Sequence, residues 1–509
     1  MMEWIAALVP ALLTEHAPAV LVVAPLLLAA VAALMPEGRS AWAIALVGTL
    51  VSAVLSIVVA VDVQTGGVVS YALGGWEPPV GIEFRADALN AALLLLVSGL
   101  GLLSVVYALP SVADEIEPHK RALFYSAFLV CFSGLLGVAI TGDAFNMFVF
   151  LEISSISTYV LVGMGAGQDR RALTAAYNYL ILGTIGATFF VIGVGFLYMA
   201  TGTLNMADIA TRLPDLSGSR VVQAAFAFII VGLGLKAAMF PLHLWLPNAY
   251  AFAPNFVTIF LASTATKVAF YTLIRFLFDV FYPDAAFVQA SFVWVFAVLG
   301  VIGMIAASVQ AVFQSDARRL LAFSSVAQVG YMMLGLGMGS AAGISAGLLH
   351  LMNHAMMKGA LFMALGGFAI RFGVRRISDL NGLGRTMPAT AVAFTIAALS
   401  LVGLPATIGF WSKWYLGIAA LEQGWWWALA AIIISSILAF FYAGRLLLAV
   451  WIAKSPEHHG VPARARSPMM MIVPLWILAA ANIWFFFDPE PLLALARAAA
   501  DAAITGAGQ

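Results

Sequence analysis

The 509-residue sequence contains a single cysteine, Cys131, and little charge: 24 basic and 24 acidic residues, 9% of the chain. One cysteine excludes a disulfide framework and any thiolate metal or iron–sulfur cluster, which need several ligands. Balanced charge leaves no net field to draw in polyanions, which excludes nucleic acid as a partner. Soluble globular proteins carry roughly 25% charged residues, so a soluble enzyme and a disordered protein are excluded as well. No GxGxxG follows a strand-like segment, so no nucleotide cofactor is expected. What the chain has is apolar surface. Hydrophobic residues make up 63%, the mean hydropathy is +1.02, and 13 Trp and 35 Phe suit aromatic belts at a bilayer surface. This composition predicts an all-α polytopic membrane protein.

A helix crossing a hydrocarbon core of roughly 30 Å needs about 20 mostly apolar residues. Fourteen such segments are predicted, near 17–35, 41–62, 87–109, 121–140, 145–163, 173–200, 221–247, 252–279, 288–313, 319–338, 343–370, 387–417, 424–452 and 469–487. The stretch at 4–13 is too short to span and is interrupted by Pro10, so it reads as an interfacial lead-in. It lacks the basic flank of a signal peptide. Loops after odd-numbered segments carry 14 basic residues, from Arg39 and Lys120 through Arg464 and Arg466. The other side carries five: Arg85, Arg212, Arg220, Arg275 and Arg497. The positive-inside rule then puts the odd loops in the cytoplasm and both termini outside, on the periplasmic side of a bacterial inner membrane. Five basic residues remain, and all fall inside predicted helices: Lys236, Lys267, Lys358, Lys413 and Arg445.

A charge at the bilayer centre costs at least about 2.5–3.5 kcal/mol on insertion scales. Arg445 lies about two turns from a helix end and is expected to snorkel to the headgroups. Glu152, in FNMFVFLEISS, lies about eight residues into its helix, roughly 12 Å deep. Lys236, in VGLGLKAAMFPLHLWLP, lies at similar depth, so the two are natural partners; the alternative is a static salt bridge that only orients helices. Pro241 and Pro405 each remove an amide donor and should break helices seven and twelve. Lys236 precedes the first break and Lys413 follows the second, a pattern found in transporters built from inverted repeats.

His350, His354 and Lys358 recur every four residues in LLHLMNHAMMKGALF, so they share one helix face over roughly 12 Å. Imidazole both donates and accepts, which suits a relay. A metal site is disfavoured because no third ligand accompanies HxxxH. His243 either joins the relay or satisfies carbonyls freed at Pro241. Ser263, Thr264 and Thr266 flank Lys267 and favour internal water. Asp62, Asp87, Asp143 and Asp279 fall at helix ends, so buried lysines outnumber carboxylates four to one. Desolvation shifts a lysine pKa by up to roughly 3–5 units, or roughly 4–7 kcal/mol. A membrane potential supplies about 2.3 kcal/mol per charge per 100 mV, a comparable energy. A line of lysines and histidines gated by the Glu152–Lys236 pair is therefore a candidate proton conductor.

These residues resemble the antiporter-like membrane subunits shared by Mrp-type cation/proton antiporters and respiratory complex I. The likeness covers about 85–455 and rests on TGDAFNMFVFLEISS, LKAAMFPLHLWLPNAYAFAP, DARRLLAFSSVAQVGYM, HLMNHAMMKGALF and GLPATIGFWSKW. YMATGTLNMADIA and GGWEPPVGIEF are similar to the D subunit of Mrp antiporters, and Lys413 tells against the complex I subunit that has glutamate there. The resemblance implies fourteen helices with helices 4–8 and 9–13 as inverted five-helix repeats. It also implies a Glu152–Lys236 pair, Lys267 as central relay, His350 and His354 linking the halves, Lys413 as terminal lysine, and a less settled role for Lys358. Relatives often carry a second proline where this chain has Ala406. The chain would divide into helices 1–3 (1–120), a first repeat (121–279), a second repeat (280–452), and a last span with a short tail (453–509). Other membrane subunits, protons, Na+ and the lipid bilayer are the implied partners. Three functions compete: a proton-translocating subunit of a Na+/proton antiporter, a subunit of a complex I-like or hydrogenase complex, and a scaffold.

Overall fold

The computed structural model describes residues 10, 14–216, 218–281, 285–454 and 465–505. Arg464 and most of the predicted lead-in (4–9 and 11–13) lie outside the described residues. Helices lie over all fourteen predicted segments. Among the described residues, eleven helical stretches are long and apolar enough to cross a bilayer, while Ala17–Ala33 and Pro388–Val402 are apolar but shorter. In hydrocarbon every amide must bond within its own segment, so runs this apolar settle as helices. Polar residues close the ends. The Asp87 carboxylate accepts from the amides of Leu89 and Asn90 at 3.0 and 3.1 Å, and Asn90 Oδ1 accepts the Asp87 amide at 2.7 Å. Asp143 and Asp316 cap the helices Ala144–Gly163 and Ala317–Gly337 in the same manner.

Burial sorts these helices into two sets. Ala317–Gly337 and Asn255–Val280 are enclosed, their apolar windows 100% and 94% buried, so they form the axis of the molecule. Arg171–Thr201, Trp426–Trp451 and Met469–Phe487 bury less than half and carry the exposed apolar faces expected against lipid. The long helix Ala341–Phe372 packs against both enclosed helices and also against Ile408–Glu422 and Ala88–Glu115.

The helices carry detail beyond the predicted segments. The fold is helical as expected, with one short hairpin in a loop: strands β1 (Val69–Ala72) and β2 (Glu83–Ala86) pair antiparallel, and Gly142 N bonds to Glu83 O at 2.8 Å. The expected tail is a helix, Glu490–Thr505, packed on Ala88–Glu115 and Ala341–Phe372. The third span does not stop at 109; it continues through Pro110 to Glu115. The segment 221–247 breaks where Pro241 predicts: Arg220–Lys236 ends at the lysine and a short helix, Leu246–Phe252, resumes after the proline. The twelfth segment is likewise split into Pro388–Val402 and Ile408–Glu422 around Pro405.

The eighth segment has a break that no proline or glycine announces. Thr264 (φ −125°, ψ −55°) separates Asn255–Ser263 from Ala265–Ile274, which runs on into a wider π-turn, Arg275–Val280. Ser263 and Thr264 bond back to the carbonyls of Ile259 and Phe260 at 2.8 and 2.7 Å, a competition with the helix ladder that bends helices.

Candidate functional site

Glu152 is the ninth residue of Ala144–Gly163, and Lys236 ends its own helix. Their charged atoms stand 3.4 Å apart, and Lys236 also donates to Ser155 Oγ at 2.5 Å. The lysine side chain is 7% exposed and the glutamate 22%, so the pair opens toward the outer face of Ala144–Gly163. Just beyond Lys236, Ala238 takes φ +56°. A non-glycine residue there costs of order 1–3 kcal/mol, a strain met at sites whose geometry is held by their surroundings. His243 stacks on Phe240 at 5.3 Å, and neither ring nitrogen makes a hydrogen bond of normal geometry with a described residue.

Lys267 lies one turn past the Thr264 break. The break leaves the Ala262 carbonyl without its amide, and Lys267 Nζ donates to it and to Thr266 Oγ1, the latter at 3.3 Å. Lys267 is within electrostatic reach of His350, His354 and Lys358. No hydrogen bond among the described residues joins it to the Glu152–Lys236 pair.

On Ala341–Phe372 the expected stripe is buried along its length, with the His350 and His354 rings parallel and 6.5 Å apart. Lys358 donates to Leu321 O at 2.8 Å and to Ser324 Oγ, which ties it to Ala317–Gly337. Both ring nitrogens of His354 lack a partner among the described residues. A buried imidazole normally finds one, so this is the place in the stripe that calls for water. His350 is fully engaged, Nδ1 with Ser412 Oγ and Nε2 with Gln328 Oε1, each at 2.9 Å.

Lys413 differs from Lys236. It donates to the carbonyls of Leu401 and Val402 at 3.2 and 2.8 Å, freed by the second break, and to Ser436 Oγ at 3.2 Å. Its ammonium lies 4.8 Å from the centre of the Tyr331 ring. Gly403 (φ +88°) makes room, since a side chain there would meet the Lys413 stem at 2.7 Å. Ala406 takes φ +72°. A proline ring is locked near −65°, so the second proline of relatives could not hold this turn.

Residues without a local sequence signal complete the arrangement. Tyr331 touches both His350, at 5.2 Å, and Lys413; Ser412 and Asn353 bond at 3.2 Å between them. Near the basic face, Glu115 accepts from the Asn255 amide and from Asn255 Nδ2, both at 2.8 Å. It borders a cavity of about 120 Å³ with Asn255, Arg318, Asp169 and Arg375. Asn255 opens the helix that leads to Lys267.

One arginine is corrected and a second gains a partner. Arg275, expected in an outer loop, is buried and grips Asp87 with two bonds of 2.6 and 2.9 Å, Asp279, and Tyr271 OH at 3.0 Å. Buried guanidinium persists because carboxylates surround it. Arg445 donates to the last carbonyl of Val298–Val312.

Residues 141–439 match the family described as NADH:quinone oxidoreductase/Mrp antiporter, TM, which is more than half of the chain. The chain belongs to that family. Within the NADH:quinone oxidoreductase/Mrp antiporter family it is 41% identical to the N subunit of NADH-quinone oxidoreductase from Desulforudis audaxviator, over 92% of this chain and 94% of that protein. It is 30% identical to the D subunit of the Na(+)/H(+) antiporter from Alkalihalophilus pseudofirmus over 90% of each. A chain of the Mrp complex from Dietzia sp. DQ12-45-1b matches in structure with a TM-score of 0.86 at 27% identity, covering 97% of this chain and 98% of that one. The family membership and the likeness to an antiporter D subunit agree with what the motifs imply. Similarity to an N subunit is higher, so likeness alone does not divide the two branches.

Proposed function

We propose that the chain is a proton-translocating membrane subunit of a multisubunit monovalent cation (Na+)/proton antiporter. Its relatives include the D subunit of a named antiporter and a chain of an Mrp complex, which supports a place among other membrane subunits. The observation that carries the reading is geometric: Glu152 and Lys236 form an ion pair at a helix break, and Lys413 sits at a second break that mirrors it in the chain. Lys267, His350, His354 and Lys358 occupy the buried ground between. The two breaks and their lysines support the division into helices 4–8 and 9–13 as inverted repeats that the resemblance implies.

In this reading a proton enters from the basic, cytoplasmic face through the cavity beside Glu115 and reaches Lys267. It passes along His354 and His350 toward Lys413, with Ser412 and Tyr331 joining the last two. Pairing of Glu152 with Lys236 sets whether the path is charged. An unpaired Lys236 would raise the cost of a second positive charge on Lys267, by Coulomb repulsion in a low-dielectric interior. His243, beside the first break, belongs to the same path if water reaches its ring nitrogens.

A second reading is favoured by the 41% identity to an N subunit: the same path harnessed to a redox complex. Purified complex in sodium-loaded vesicles separates them. Proton uptake driven by a sodium gradient supports the antiporter; proton movement only during substrate oxidation supports the redox complex. If Lys236→Ala and Glu152→Gln complexes assemble and move protons normally in both assays, both readings fail and a scaffold remains.

A further inference from the structure

On the basic face three helices begin around one cleft: Gly38–Gly66, Arg121–Ile140 and Met469–Phe487. The cleft has a volume of about 370 Å³. That is within the roughly 300–1,000 Å³ of small-molecule sites. Its walls are apolar, formed by Leu109, Pro110, Ala113 and Met470, and its polar rim is Arg39, Arg121 and Tyr125. No carboxylate of a described residue lines it. Of the acids nearby in sequence, Glu117 pairs with Lys120 at 2.8 Å and Glu115 with Asn255, while Glu37 and Asp114 adjoin Gly38 and Ala113 without lining the cleft.

The rim is built and unsatisfied. Arg121 is fixed by donating to Ile116 O at 2.9 Å and Ala113 O at 2.6 Å, which leaves Nη1 without a partner among the described residues. Its stem lies against Gly38, where any side chain would come within 2.7 Å of it. Arg39 is exposed and makes no ion pair with a described residue. Tyr125 is 1% exposed, lines the cleft, and its hydroxyl has no hydrogen-bond partner among the described residues. Three helix N-termini add partial positive charge, which favours an anion.

We propose that this cleft binds an anionic phospholipid, with the phosphate between Arg39, Arg121 and the Tyr125 hydroxyl and an acyl chain along Leu109, Pro110 and Met470. Apolar walls beneath a cationic rim fit a lipid rather than a free phosphate. The chemistry also fits the leaflet, because the cytoplasmic surface carries the anionic lipids that basic pockets between helices recognise.

The test uses the whole purified complex and native mass spectrometry with added phosphatidylglycerol, phosphatidylethanolamine or inorganic phosphate. Wild type should retain one phosphatidylglycerol per copy of this chain, at least tenfold in preference to phosphatidylethanolamine. The double variant Arg39→Gln/Tyr125→Phe spares the carbonyl bonds of Arg121 and should lose that preference while still assembling and translocating protons. Gly38→Leu should weaken it by displacing the Arg121 stem. Retention unchanged in both variants would overturn the proposal, as would equal displacement by inorganic phosphate. A photo-crosslinking amino acid at Met470 gives an independent reading: attachment to phospholipid supports the site, and attachment to a partner protein defeats it.

Discussion

The two broken helices hold their lysines by different means. At the first break, Lys236 faces the titratable carboxylate of Glu152, and the pair is partly open on one side. At the second, Lys413 is caged by two carbonyls, a serine and an aromatic ring, all of fixed character. A lysine whose partner can itself gain a proton can be switched from outside. One held by dipoles responds mainly to its own proton. In the proposed function the first break is therefore the control point and the second the terminus, although each is made by proline and a left-handed alanine.

The comparison can be broken most severely at the turns. Ala406→Pro demands a φ that the ring forbids, and a proline that cannot fit costs about 3 kcal/mol or more. Complex assembly should fail, with Ala406→Gly as the tolerated control; normal assembly of Ala406→Pro would show that the turn is not as described. Next in size is Glu152→Gln. Lys236 keeps Ser155 but loses its switchable partner, so proton transport in vesicles should drop at least tenfold with the complex intact, about 1.4 kcal/mol in barrier terms. Ser436→Ala sharpens the contrast from the other side, because Lys413 keeps both carbonyls. Its transport should stay within about twofold of wild type, since one neutral hydrogen bond nets only about 0.5–1.5 kcal/mol.

The smallest effect is expected where two loops distant in sequence meet. Asp169 bonds Arg171 at 2.7 Å and Arg375 at 3.1 Å, and the Arg171 bonds hold its carboxyl down at about 2. A depressed carboxylate stabilises above its unfolded value near 3.9 and loses that contribution as pH falls through its folded value. Asp169→Asn should cost at most about 1 kcal/mol, as exposed pairs do. The difference in thermal midpoint from wild type should be constant from about pH 5 to pH 8 and should shrink only below about pH 4. A midpoint difference that varies across the neutral range would show that another group governs the contact.

How far the site is legible in the sequence depends on whether a residue announces itself locally. Glu152, Lys236 and the histidine stripe stand out because charge and imidazole are costly in apolar helices, and spacing fixes their shared face. Pro241 and Pro405 mark two breaks. Thr264 marks nothing, because a hydroxyl bends a helix only when its surroundings favour the back-bond. Gln328, Tyr331 and Ser412 are ordinary residues in a span until packing brings three helices together around His350. Arg275 looks like a loop residue because its partner Asp87 is 188 positions away in the chain.

The chain by itself determined that it lives in a membrane, where it crosses, and which costly charges it keeps there, since each of these follows from transfer energies of single residues and segments. Only the tertiary structure decided what those charges face. Whether a buried lysine meets a carboxylate, a carbonyl or an empty space depends on which distant helices pack beside it, and in an interior of low dielectric that neighbour sets the energy.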